Sequence, residues 1–194
     1  GQTTGIELAN EARGTIIAPT EVQGNAVRYS NMAFGQGMDA TMLQVASGLG
    51  AMINGGIYRS PSIIAGTIDD AGKFKAAAPK PQYPGVITKA SSDTVKEMIH
   101  RARKEFYAGH DKPGYYIGGK TGTSQTIENG KYIDEQTIGT YLGFGGENGK
   151  TPSYVIMVEL SAKGKNLQGG RDALPIFTDI SNWMIDYLKL TPKE

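Results

Sequence analysis

The 194-residue chain contains no cysteine. That excludes disulfides, thiolate zinc sites and a cysteine nucleophile, while leaving the compartment open. Only two histidines, His100 and His110, are present, so a histidine-rich metal centre is excluded as well. No apolar run approaches the ~18 residues of a membrane span, and none reads as a signal peptide. Positive and negative side chains nearly cancel, at a net +1, which leaves no electrostatic footprint for nucleic acid. Internal repeats and low-complexity blocks are missing too. Glycine, by contrast, is abundant at 27 residues, about twice the usual ~7%. Tight turns and close backbone approaches are the expected use of that surplus. The length suffices for one domain, or two small ones, with a sizeable core.

Hydrophobic periodicity divides the chain. Residues 1–31, broken by Gly5, Gly14, Pro19 and Gly24, read as irregular with one short strand over Gly14–Ile17. A glycine-punctuated turn follows over Asn31–Gly37. A helix is predicted over about Ala40–Asn54, from Met42, Val45, Ala46, Leu49, Met52 and Ile53 at three- and four-residue spacing. Asp39 or Thr41 would cap its start and Gly55-Gly56 its end. Gly48 and Gly50 inside it, each costing about 1 kcal/mol relative to alanine, predict a closely packed neighbour. A small hairpin is expected around Asp69–Gly72, between Ser62–Ile68 and Lys73–Lys75, before Pro79, Pro81 and Pro84 stop regular structure.

A second helix is predicted over about Ser91–Ala108, stopped by Gly109. Its expected buried stripe is Val95, Met98, Ile99, Ala102 and Phe106. Lys96, Glu97, Arg101, Arg103, Lys104 and Glu105 form the expected solvated face, and His100 reads as a surface or packing residue. Three strands follow, over Tyr116–Ile127, Thr137–Gly145 and Tyr154–Leu160. The first pair is joined by Glu128–Lys131, with its Asn129-Gly130 hairpin signal. A last helix begins near Ala173 with Pro175 in its first turn, and Ile176, Ile180, Trp183, Met184, Tyr187 and Leu188 form its apolar stripe. The fold class expected is α+β, an antiparallel sheet with the C-terminal helix packed on it. Residues 1–87 would supply loop, helix and small hairpin, and residues 88–194 the second helix, the sheet and the final helix.

The chemistry concentrates in Gly118-Gly119-Lys120-Thr121-Gly122-Thr123-Ser124. A cation, three hydroxyls and three glycines in seven residues suit an anionic or carboxylate-bearing ligand approached closely by backbone. Three readings compete. From Gly114 the text G-Y-Y-I-G-G-K-T satisfies the phosphate-loop pattern, but that pattern needs a buried strand before it and a helix starting at the lysine. A polar turn, Ala108–Pro113, precedes it, and no helical periodicity follows. The second reading is a surface hairpin with no role. The third is the K-T-G box of the penicillin-recognising serine enzymes, which lies on a cleft-lining strand.

Four segments carry a resemblance to one family. They are Ala33–Gly37 with Ala40–Ala46, the Asn54–Pro61 turn, Gly119–Ser124, and Ala173–Phe177. In this order and spacing they resemble the C-terminal half of a class B penicillin-binding protein transpeptidase domain, over roughly residues 5–190. Met42 stands where the family usually has proline. The resemblance implies a partial penicillin-binding/β-lactamase-like fold and a serine-type D,D-transpeptidase that cross-links peptidoglycan and binds β-lactams. It also implies a location at the extracytoplasmic face of the bacterial membrane, with the anchor outside this chain, and no cofactor.

The family's S-x-x-K and S-x-N boxes have no counterpart here. No serine has lysine three places on or asparagine two places on. The chain is therefore expected to be a fragment, inactive alone. Its expected partners are a stem peptide ending in D-Ala-D-Ala, β-lactams, the missing N-terminal part of the same domain, and itself through self-association.

The resemblance assigns roles within the box. Thr121 and Thr123 would bind the ligand's carboxylate, and Gly122 would leave room for it. Lys120 would act in proton transfer beside the absent S-x-N serine. The Thr123 N–H would be one oxyanion donor, and Ser124 would complete the binding strand. A serine β-lactamase or carboxypeptidase is the alternative within the family. A non-catalytic binding module is the alternative outside it.

Overall fold

The computed structural model of the chain describes residues 1–18, 20–21, 26–128 and 131–193. The expected positions Pro19, Gly24 and the Asn129-Gly130 turn lie outside the described residues. The helices are α1 Ala26–Met32, α2 Met42–Ile53, α3 Lys89–Phe106 and α4 Leu174–Tyr187. The strands are β1 Ile57–Arg59, β2 Gly66–Ile68, β3 Phe74–Ala76, β4 Gln82–Pro84, β5 Tyr115–Glu128, β6 Lys131–Glu147 and β7 Tyr154–Leu160.

The main sheet is an antiparallel meander in the order β5-β6-β7, so β5 and β7 are its edges among the described residues. Its register sets Gly118 opposite Phe144, Lys120 opposite Leu142 and Thr121 opposite Tyr141, with a bulge between Gln125 and Ile127. Paired residues share a face, and successive residues alternate between faces. On one face Ile117, Tyr141, Tyr154 and Val158 pack with Leu174, Phe177 and Ile185 of α4. On the other, Phe144 packs with Leu49 and Ile53 of α2, flanked by Ile99 of α3. This is the α+β arrangement the strand alternation predicts.

The caps follow the chemistry of the sequence. Thr41 caps α2 in a box with Gln44: the Gln44 N–H donates to the Thr41 hydroxyl at 3.2 Å, and the Thr41 N–H donates to the Gln44 side chain at 3.0 Å. Gly55 and Gly56 follow at φ 93° and 85°, where a Cβ is strained. Thr88 caps α3.

Several expectations are corrected. Residues 26–32 form a helix, and Gly14–Ile17 is reduced to one isolated bridge, Thr15 with Asp39. The two ends of the 57–84 region pair as a second ribbon, β1 with β4, whose strand ends on Pro84. The β2–β3 hairpin stands as expected. Met42 and Met52 of the α2 stripe are exposed, and a Cβ on Gly48 or Gly50 would meet nothing within 4 Å, so no element packs closely there.

On α3, Met98, Ala102 and Phe106 are exposed, while Arg103, expected in solvent, is 1% exposed. Position 103 lies on the buried line through Ser92, Val95 and Ile99 and finds charged and polar partners there. On α4 the buried face is Leu174, Phe177, Thr178, Ser181 and Ile185; Ile176, Ile180, Trp183, Tyr187 and Leu188 point outward. The reason is a hole in the sheet: a Cβ on Gly143 would lie 2.5 Å from the Phe177 ring, so Phe177 drops onto that glycine and fixes the helix rotation.

Candidate active site

The glycine-lysine-threonine run lies in the middle of β5, and no helix starts at Lys120. The geometry a phosphate loop requires is absent from these residues.

Burial divides the strand. Ile117, Gly118 and Gly119 are buried, Lys120 is exposed, and from there to Glu128 every residue is half-buried or exposed. The buried part is held from three sides. A Cβ on Gly118 would lie 2.5 Å from the Phe144 ring and 3.2 Å from the His100 backbone nitrogen. A Cβ on Gly119 would lie 2.4 Å from the Tyr141 ring, on the opposite face. Along the edge runs α3, where the His100 Nδ1–H donates to the Ile117 carbonyl at 2.7 Å and the imidazole stacks on Tyr116 at 3.9 Å. The packing histidine is as expected. The Tyr116 hydroxyl donates to Glu97 at 2.8 Å. Burial and that carboxylate push the Tyr116 pKa up, while Arg101 first and Tyr116 second hold Glu97 below the usual carboxylate range.

The outward direction of the Ile117 carbonyl sets the phase of the edge. In a regular antiparallel edge strand, alternate residues direct both N–H and C=O away from the partner. Gly119, Thr121 and Thr123 therefore direct their backbone groups away from β6, Gly119 within the buried part of the strand and Thr121 and Thr123 within the more exposed part. Lys120 is on the Leu142 face, and its Nζ curls back to donate to the outward Thr121 carbonyl at 2.7 Å. Thr121 and Thr123 are on the other face. The Thr123 hydroxyl accepts from the Gly169 N–H at 3.3 Å and keeps its own proton to donate. Gly122 has Thr140 beside it. Ser124 opens onto a groove of about 930 Å³ shared with Gln125, Gln36, Gly37 and Asp39. The F-G-Q-G turn and the box strand thus line one groove.

A buried polar cluster behind the strand was missed in the sequence. Arg103 Nε and Nη2 donate to Asp111 at 2.9 and 2.5 Å, Nη1 to the Tyr141 hydroxyl at 2.7 Å, and Nη2 to the Thr178 hydroxyl at 2.9 Å. Burial opposes the charge, but Asp111 and Tyr141 outweigh it and hold the guanidinium above its ordinary value. The available signal was an arginine on the helical line of Ser92, Val95 and Ile99.

Residues 1–182 match the family described as the penicillin binding protein transpeptidase domain. Among curated proteins the chain is 33% identical over 200 residues to stage V sporulation protein D of Bacillus subtilis, covering 100% of this chain and 30% of that protein. It is 30% identical over 197 residues to penicillin-binding protein PbpB of Mycobacterium tuberculosis, covering 95% of this chain and 28% of that protein. The chain thus spans under a third of both relatives. Among solved structures it resembles penicillin binding protein 3 of Mycobacterium tuberculosis complexed with aztreonam, with a TM-score of 0.82 and 27% identity over 99% of this chain and 45% of that one.

Proposed function

The chain belongs to the penicillin-binding protein transpeptidase domain family, and from that premise we propose that it is the C-terminal portion of a serine D,D-transpeptidase domain. In this reading it supplies the carboxylate grip and one oxyanion donor. The nucleophilic serine, its lysine and the S-x-N serine come from polypeptide outside these 194 residues. The observation that carries the reading is the position of the K-T-G text, on an edge strand of the sheet at the point where burial gives way to exposure at Lys120.

The substrate is a stem peptide ending in D-Ala-D-Ala, or a β-lactam that mimics it. It adds as an antiparallel strand beside Lys120–Ser124, where the outward N–H and C=O groups of Thr121 and Thr123 pair with its backbone. The hydroxyls of Thr121 and Thr123 donate to its terminal carboxylate. Lys120 leaves the Thr121 carbonyl as the peptide takes that acceptor, and turns toward the serine supplied from outside, where its charge favours proton transfer. The Thr123 N–H stabilises the developing oxyanion, a donor whose loss typically costs ~10²–10³ in rate. No cofactor takes part. The outward α4 residues Ile176, Ile180 and Trp183 and the free edge of β7 are covered by the remainder of the domain.

Mass spectrometry after incubation with benzylpenicillin tests this division of labour. The 194-residue chain stays at its unmodified mass, while the full-length product of the gene gains one penicilloyl group. An adduct on the short chain, or none on the long one, overturns the reading.

A further inference from the structure

The geometry points to Arg103 as a positioning residue for the Lys120–Thr123 box, acting through Tyr141. The inference rests on the transpeptidase reading above. Tyr141 is the side chain that props the box from behind. It is fully buried, and its ring fills the space against the Gly119 Cα so closely that a Cβ there would lie 2.5 Å from the phenol oxygen. A ring alone can slide along a glycine backbone. This one is pinned at its far end by the Arg103 Nη1–H.

The guanidinium is itself immobile. Four hydrogen bonds fix its plane, two to Asp111 and one each to Tyr141 and Thr178, and the rings of Tyr141 and Phe177 lie 5.3 and 4.8 Å from Cζ. Thr178 in turn donates to the Leu174 carbonyl at 3.0 Å, which ties the cluster to the first turn of α4. The segment before that turn supports the box a second time, through the Gly169 N–H on Thr123. One charged side chain thereby joins α3, β6 and α4 at the height of the lysine.

Stability alone is a poor account of such a residue. A buried ion pair can often be replaced by apolar side chains of similar volume without loss, because desolvation cancels most of its Coulombic gain. An apolar side chain cannot hold a phenol oxygen at a fixed point. Positional control of the strand is what the charge adds, and it matters most to groups that act in the transition state, the Lys120 ammonium and the Thr123 N–H.

The test uses the full-length gene product and benzylpenicillin, with binding and acylation resolved by stopped flow and the folded fraction set by thermal unfolding. Tyr141→Phe keeps the ring and drops the pin. It is expected to lower the acylation rate constant of folded protein about 10- to 100-fold, the scale of a ~1 Å misplacement, while the dissociation constant of the initial complex moves less than about twofold. Arg103→Met is expected to do the same, and the double variant no worse than Arg103→Met alone, since the hydroxyl acts only through the guanidinium. Should Arg103→Met fail to fold, Tyr141→Phe decides by itself. An unchanged acylation constant in Tyr141→Phe, or losses that multiply in the double variant, overturns the assignment. Absence of any acylation in the unsubstituted protein overturns the transpeptidase reading beneath it.

Discussion

The two halves of β5 pair with the same antiparallel neighbour, in one register from Tyr115 to Gln125, yet they behave as different materials. Tyr115–Gly119 has Phe144 on one face, Tyr141 on the other and α3 along its edge. Lys120–Glu128 has β6 beside it and an edge that no described strand covers. The contrast arises from what stands beyond the strand rather than from the strand's own composition, because both halves contain glycine and β-prone residues. A recognition strand must be rigid enough to present fixed donors and open enough to accept a partner. Here one strand meets both demands by being buried at one end and more exposed at the other.

The largest test of that contrast is Phe144→Ala. Phe144 is fully buried and touches both Gly118 and the α2 core, so its loss is expected to cost ~3–5 kcal/mol in urea unfolding of the chain. A cost below about 1 kcal/mol, the size of an ordinary single substitution, would mean the first half is not anchored through that ring. A matched pair of glycine substitutions is sharper, though smaller. In Gly118→Ala the new methyl faces the Phe144 ring and the α3 backbone, neither of which yields easily, and ~1–3 kcal/mol of overpacking is expected. In Gly122→Ala it faces the Thr140 hydroxyl, which can rotate away, and ~0.5 kcal/mol or less is expected. Equal costs would erase the distinction between the halves.

Much of this was legible in the sequence. The alternation of Tyr154, Ile156, Val158 and Leu160 marks β7 to the residue, and Thr41, one of the two caps the sequence offers with Asp39, is the one that starts α2. The K-T-G text sits on a strand as its β-prone flanks require. What was illegible depends on residues far away in the chain. Helix α4 has more apolar residues than the sheet can cover, and which of them turn inward is decided by the hole at Gly143, 34 positions before Phe177. Arg103 looks like every other charge on α3 until Asp111, Tyr141 and Thr178 arrive from 8, 38 and 75 residues away. The open edge at Lys120 has the same origin. No local signal says that burial of the strand ends there.

The finest expected effect is a pH dependence confined to the anchored half. The Tyr116 hydroxyl clasps Glu97 of α3, next to the His100 contact. Glu97 has a folded pKa below its ordinary 4.5, so its contribution is complete above pH 4.5 and is lost as the pH falls through the lowered folded value. Tyr116 has a folded pKa raised above its ordinary 10.0, so its contribution is complete below pH 10.0 and is lost as the pH rises toward the raised one. Between those limits the clasp is constant. Hydrogen exchange, corrected for intrinsic rates, should therefore show the protection of Gly118 and its buried neighbours falling at both extremes. The outward Thr121 and Thr123 amides, which exchange without that clasp, should show no such two-sided profile. A parallel fall in both halves would mean that the strand opens as one unit, and that α3 does not divide it.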